Sequence, residues 1–332
     1  MRVGYRSFDR QWLIPDSRVI DRPRVALWQV RSDRQLYLTE PRTERVTVGP
    51  AVTFTANVPD TDHYRGHSGG RVFPLYRDPA GLSPNVAPGV LKLFADRIGI
   101  TISGEDLFAY VAGIAAHDGF TTRFVADMDG TGVRVPLTVD LNLFRHACEL
   151  GRRVLWLHSY GERFIDPTSG RPSGPPRLPL GRCPHVIVEI PDDDDHLPTR
   201  INYEALNETL HVGDGEIRPV PLAVWDYQVA GMRVVRHWFR YRTGEPTGRH
   251  PTELDAIPLS RWDDTMIKEL LNLLNVLGFL VELAPTQQAV LNQILRGPCI
   301  NIDELIASAA VPAPPGTDGP LQSDGSQGSL AV

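Results

Sequence analysis

Residues 166–184 contain PTSGRPSGPPRLPLGRCP, a run so dense in proline and glycine that it can form neither a helix nor a central strand. It is expected to be a loop or linker, and it splits the chain into two parts that must each supply their own regular structure. Residues 1–165 read as an N-terminal β region followed by a helical part. Residues 185–311 read as a second β region followed by C-terminal helices.

In the first part, VALWQV, LYL, VTV, VTFTANV and VFPLY lie between Arg24 and Tyr76, broken by Asp, Gly and Pro, which predicts several strands of a mixed or antiparallel sheet. PGVLKLFADRIGI fits a helix or a strand. SGEDLFAYVAGIAAHDGF is clearer: Ser103 can cap, Asp106 follows three residues later, and Leu107, Tyr110, Val111 and Ile114 share one helical face. A short helix is expected around TTRFVADM and another from Leu141 to Leu150, closed by Gly151.

Beyond the linker, HVIVEI, INYEAL and ETLHVG with the VGDGEI turn predict hairpins. DDTMIKELLNLLNVLGFLVEL predicts a long helix capped by Asp263 or Ser260 and ended by Pro285, with TQQAVLNQIL as its partner helix. Residues 312–332 are too polar and proline-rich to pack, so disorder is expected there. The fold class is therefore α+β: mixed sheet regions in the N-terminal and middle parts, a helical segment between them and a C-terminal helical pair.

With 332 residues and 42% apolar content, the chain can fill one large core or two modest ones. It has no apolar window long enough for a membrane span and no secretory h-region, so a cytoplasmic location is expected. Cys148, Cys183 and Cys299 lack metal-site spacing and are expected to be reduced and buried. The basic residues are arginines except for Lys92 and Lys268, which is read first as the mark of a GC-rich genome, though it also leaves a surface of forked donors suited to phosphates and guanine edges.

The net charge of −6 argues against a simple basic nucleic-acid binder, but the charge is unevenly spread. Residues 1–45 carry ten arginines against six acids, and residues 228–250 carry five arginines against Glu245 alone. Such local basic stretches can hold a polyanion despite an acidic total.

Phosphate-cradling, dinucleotide-binding and nucleophile-elbow motifs are absent, as is an N-P-P-Y tetrapeptide. No cofactor is implied. Asp192–Asp195 resemble a divalent-cation cluster, but consecutive acids point in divergent directions; a loop is expected there and around His63 and His67. In GMRVVRHWFRYRTGEPTGR, a strand over Val234–Tyr241 would put Arg236, Trp238, Arg240 and Arg242 on one face. That face suits a DNA backbone, or it is a solvated face whose arginines pair with acids.

Six segments together resemble one family, the C-terminal specificity domain of type ISP restriction-modification enzymes, the LlaBIII-like group. They are YRSFDRQWL (5–13), PNVAPG (84–89), EDLFAYVAGIAAH (105–117), RVPLTVDLNLFRHACELGRRVLWLHSYGE (134–162), LHVGDG (210–215) and VWDYQVAGMRVVRHWFRYR (224–242). Ser7 stands where that family usually has proline. The resemblance implies a non-catalytic module that reads double-stranded DNA for a methyltransferase and helicase-nuclease module, in cis or in trans. It implies DNA contacts from Arg233, Arg236, Trp238, Arg240 and Arg242, with Arg71, Arg6 and Arg10 as further candidates. Tyr5, Phe8 and Asp9 would organise the junction with the methyltransferase, Asp9 pairing with Arg6 or Arg10 or capping a turn. A metal-dependent nuclease using Asp192–Asp195, or a remnant that packs on a methyltransferase, are the rival expectations.

Overall fold

A computed structural model describes residues 1–308 except 17, 19, 21–22, 42–45, 62, 65–69, 88, 129–131, 192–197 and 244–261. The chain opens with a hairpin of β1 (Arg2–Arg6) and β2 (Asp9–Trp12). It continues through α1 (Val25–Gln29) into a three-stranded antiparallel sheet. That sheet contains β3 (Tyr37–Pro41), β4 (Thr53–Thr55) and β5 (Gly70–Pro74), with β3 in the middle.

The strands expected at LYL, VTFTANV and VFPLY are present, but VALWQV forms α1 and VTV forms no strand. The helix wins at 25–29 because a single residue, Leu27, reaches the core there, beside Val30, Tyr37, Val58 and Val72. The Tyr37 hydroxyl donates to the Leu27 carbonyl at 2.9 Å and fixes that turn.

The helical middle comprises α2 (Val90–Ile98), α3 (Gly104–Ala115), α4 (Asp118–Phe124) and, after the two-residue β6 (Leu137–Thr138), α5 (Leu141–His158). Ser103 and Asp106 form the expected reciprocal capping box. Gly151 does not end α5, which runs on to His158. A Cβ on Gly151 would lie 1.6 Å from the Ala109 carbonyl, and one on Gly113 would lie 2.1 Å from the Ala147 carbonyl. The two glycines let α3 and α5 touch backbone to backbone, so Gly151 serves packing rather than termination.

A second antiparallel sheet, in the order β7-β10-β9-β8, contains β7 (His185–Val188), β8 (Ile201–Glu204), β9 (Thr209–Val212) and β10 (Gly215–Arg218). Its β9–β10 turn has Gly213 at positive φ. Then come α6 (Leu222–Trp225) and a small hairpin of β11 (Gln228–Val229) and β12 (Met232–Arg233), turned by Ala230 and Gly231, both at positive φ. α7 (Val234–Arg240) follows directly.

α8 (Asp264–Arg296) joins the two helices expected at the C-terminus into one of 33 residues, with Asp263 as its cap and Pro285 inside it. Leu273, Leu280, Gln287 and Ile294 recur every seven residues and are all buried, so one stripe crosses the proline. Pro285 itself faces solvent, where water can satisfy the carbonyl it leaves unpaired. β13 (Cys299–Ile300) pairs with β6, and α9 (Ile302–Ala307) ends the described chain. One apolar cluster takes in Leu38 and Phe54 from the first sheet, Leu210 and Ile217 from the second, and the inner faces of α3, α5 and α8.

The acidic run 192–195, the segment around His67 and the tail at 312–332 lie outside the described residues. His63 does not: its imidazole is buried and hydrogen-bonds the Gly4 carbonyl oxygen at 3.0 Å.

Candidate nucleic-acid interface

Residues 234–240 are a helix, which corrects the strand expected there. Val234, Val235, Trp238, Phe239 and Arg242 are buried at intervals of one, three and four, a helical stripe that outweighs the alternation of arginines. The expected single face of Arg236, Trp238, Arg240 and Arg242 therefore does not exist. Trp238 and Arg242 turn inward, whereas Arg236 and Arg240, four residues apart, are exposed.

The inward residues lock α7 to the opening hairpin. Arg242 donates to both carboxylate oxygens of Asp9, Nη2 to Oδ1 at 2.7 Å and Nη1 to Oδ2 at 3.3 Å. The two side chains are 6% and 3% exposed, so this is an ion pair removed from water. Its geometry is forked, as burial demands, and Arg242 also donates to the Trp238 carbonyl and sits 3.9 Å from the centroid of the Trp238 ring. Glu269 on α8 lies 3.9 Å from the same guanidinium and pairs with Arg2 on β1. Trp262 packs against Trp238 and Phe239 and donates its indole N–H to the Arg242 carbonyl at 2.9 Å.

Asp9 thus pairs with Arg242 rather than with Arg6 or Arg10. Phe8, expected at a junction with another module, is also interior: its ring lies 4.6 Å from that of His158, and the Tyr160 hydroxyl donates to its carbonyl at 2.7 Å. His158 is wholly buried, and its Nδ1 accepts from the Phe54 N–H, so the ring proton sits on Nε2. Burial lowers the pKa of His158 to about 3 and that of His63 to about 4. A cavity of only about 10 Å³ lies among Phe8, Asp9, Phe54, His158 and Tyr160, room for no ligand larger than water.

Arg6 donates to the Tyr64 carbonyl at 2.6 Å and to the Tyr241 hydroxyl at 3.1 Å, and lies over both Tyr5 and Tyr241. Those rings meet edge to face at 5.0 Å. Burial, with the neighbouring Tyr241, pushes the Tyr5 phenol up to about 12. Arg10 lies 3.8 Å from the centroid of the Tyr160 ring and pairs with Glu162, and Arg71 pairs with the buried Glu40. Arg6, Arg10 and Arg71 therefore have partners within the chain. Arg233 is half-exposed and pairs with Asp226 at 3.0 Å.

Arg236 and Arg240 differ from all of these. Among the described residues neither guanidinium makes a hydrogen bond or ion pair, and Arg236 rests over the Trp225 ring at 4.5 Å. Sequence spacing did not reveal Trp225, Trp262 or Glu269 as supports of α7, because their contacts are made across the fold. Among the described residues no group of three or more His, Cys, Asp or Glu is placed to hold a metal, and no helix is long and apolar enough to cross a membrane. Cys148 is buried, and burial pushes its thiol up to about 12, the behaviour of an inert core residue; Cys183 and Cys299 are partly exposed, and all three are free.

The described residues thus form an α+β body in which a packed helix turns Arg236 and Arg240 outward. The chain is a member of the type ISP C-terminal specificity domain family, whose model matches residues 1–273. Three solved structures are similar in fold. The ATP-dependent Type ISP restriction-modification enzyme LlaBIII bound to DNA aligns with a TM-score of 0.59 and 14% identity over 90% of this chain and 18% of its own. A nuclease-deletion mutant of the Type ISP enzyme LlaGI, in complex with a DNA substrate mimic, gives 0.56 and 15% over 88% and 20%. A DrdV–DNA complex gives 0.55 and 14% over 80% and 25%. This chain thus spans a quarter or less of the length of these proteins. A search of curated proteins returned no match.

Proposed function

We propose that this chain is the DNA target recognition module of a type ISP-like restriction-modification system. It gives sequence specificity to a methyltransferase and a helicase-nuclease module, in cis or in trans in the cytoplasm, and performs no catalysis itself. The observation that carries this is α7: one face is fixed by the Asp9–Arg242 ion pair and the Trp238–Trp262 contact, and the other presents Arg236 and Arg240. A packed helix with exposed, forked cations is suited to the groove and backbone of duplex DNA. Arg233, at the start of that helix, stands at the margin of this surface, and the half-buried Tyr5, Arg6 and Tyr241 border it.

The test is fluorescence anisotropy of a labelled duplex titrated with the chain, alone and with the methyltransferase module, at two salt concentrations and with or without magnesium. Salt-sensitive binding without cleavage is expected, and Arg240→Ala should lower the slope of log K against log salt by about 1. Magnesium-dependent cleavage by the chain alone would overturn the non-catalytic assignment. Failure to bind at low salt, with and without the partner module, would make the chain a packing remnant.

A further inference from the structure

The two outward arginines of α7 stand in different surroundings. The Trp225 indole beneath Arg236 closes α6 and is itself only 5% exposed. Tyr203 on β8 stacks on it with centroids 5.6 Å apart and planes 14° from parallel, and the Tyr203 hydroxyl donates to the Val220 carbonyl at 2.9 Å. The guanidinium therefore rests on a platform whose layers are each held by another part of the fold. A cation seated over an indole keeps its N–H groups free at the rim and loses less freedom when it makes a forked contact.

The sheet region that supplies the platform is acidic. The described residues of 185–226, which include both Tyr203 and Trp225, contain six acids against Arg200 and Arg218. Asp226, which follows Trp225 directly, is paired with Arg233, and Glu208 and Asp226 both lie close enough to act electrostatically on the Tyr203 phenol. A phosphate approaching Arg236 meets that field. A neutral partner with two adjacent acceptors does not, and the guanine O6/N7 edge in the major groove is such a partner. Arg240, one turn along α7, precedes Tyr241, whose ring contacts Arg6, so the charge at that end of the helix is positive.

We propose that Arg236 is a specificity-determining residue that reads a guanine through the forked edge of its guanidinium, while Arg240 contacts the backbone. This rests on the chain being a DNA recognition module. It assigns one base of the target and the residue that chooses it.

The experiment is selection of bound duplexes from a randomised pool by the full chain with its methyltransferase module, followed by titration of the selected duplex and of an unrelated one. The selected site is expected to hold at least one invariant guanine. Arg236→Ala should weaken the selected duplex roughly 5- to 150-fold, leave the unrelated duplex and the salt slope unchanged, and lose that guanine on reselection. Arg236→Lys keeps the charge without the fork and should not restore it. Arg240→Ala should instead weaken both duplexes alike and lower the slope. A uniform loss with a reduced slope in Arg236→Ala, restoration by lysine, or unchanged selection in a variant with a wild-type thermal melt would each overturn the guanine assignment alone. A wild-type chain that enriches no sequence would overturn the recognition function with it.

Discussion

Phe8 sits at φ +65° in the turn between β1 and β2, a left-handed conformation that costs a bulky residue on the order of 1 kcal/mol or more. It is held there because its ring is buried against His158 and Tyr227 and its carbonyl accepts from Tyr160. The next residue, Asp9, is the partner that makes Arg242 tolerable in the interior. Asp9→Ala should therefore destabilise the chain by about 3–5 kcal/mol, since it strands a buried guanidinium. Urea denaturation of the two single variants and the double variant Asp9→Ala/Arg242→Met checks this, and the double variant should recover part of the loss. Histidine titration belongs to the same scale. His158 at about 3, and His63 and His117 at about 4, are lowered first of all by burial. Because the folded values lie below the unfolded value, the unfolded chain takes up protons first. Stability is complete above about pH 6.5, falls as the pH drops below it, and reaches its full loss once the folded values are passed. Between pH 7 and pH 5 each histidine should remove on the order of 1–2 kcal/mol, read as a falling urea midpoint.

At the scale of elements, the α3–α5 contact is the most demanding. Gly113 and Gly151 bring the two backbones together, and Gln287 from α8 donates to the Ala112 and Gly113 carbonyls at the same crossing. In an exposed helix Gly→Ala stabilises by roughly 1 kcal/mol. Here the added methyl would overlap a carbonyl of the facing helix, so Gly151→Ala should instead destabilise by about 1–3 kcal/mol or more. Thermal melts of Gly151→Ala would show the sign directly. α7 makes the complementary point: only seven residues long, it depends on the contacts of Trp238, Phe239 and Arg242 rather than on helix propensity.

At the scale of the molecule, the two sheets share one apolar cluster through α3, α5 and α8, and the proline-rich linker contributes Leu178 to it. The Leu178 N–H donates to the Asn275 side chain of α8 at 2.8 Å, so the linker is part of the packing. Unfolding followed by far-UV circular dichroism and by tryptophan fluorescence should accordingly give coincident transitions. Two separated midpoints would show that residues 1–165 and 185–311 fold as independent units.

The sequence by itself determined what depends on neighbours along the chain. The Ser103–Asp106 box, the Asp263 cap, the Gly213 turn and the strand runs at LYL and VFPLY are local, and the family motifs could be read from the residues alone. The stripe of Val234, Val235, Trp238 and Phe239 was also present, but the alternating arginines suggested a strand, and only packing against Trp262 and the hairpin selected the helix. Pro285 and Gly151 read as helix ends, because local propensity cannot register a solvent-facing proline on a continuous buried stripe or a glycine pressed against a carbonyl. The pairing of Asp9 with Arg242, 233 residues apart, was decided by the tertiary structure alone. A buried charge takes whichever opposite charge the fold brings to it, and sequence proximity to Arg6 and Arg10 carried no weight once water was excluded.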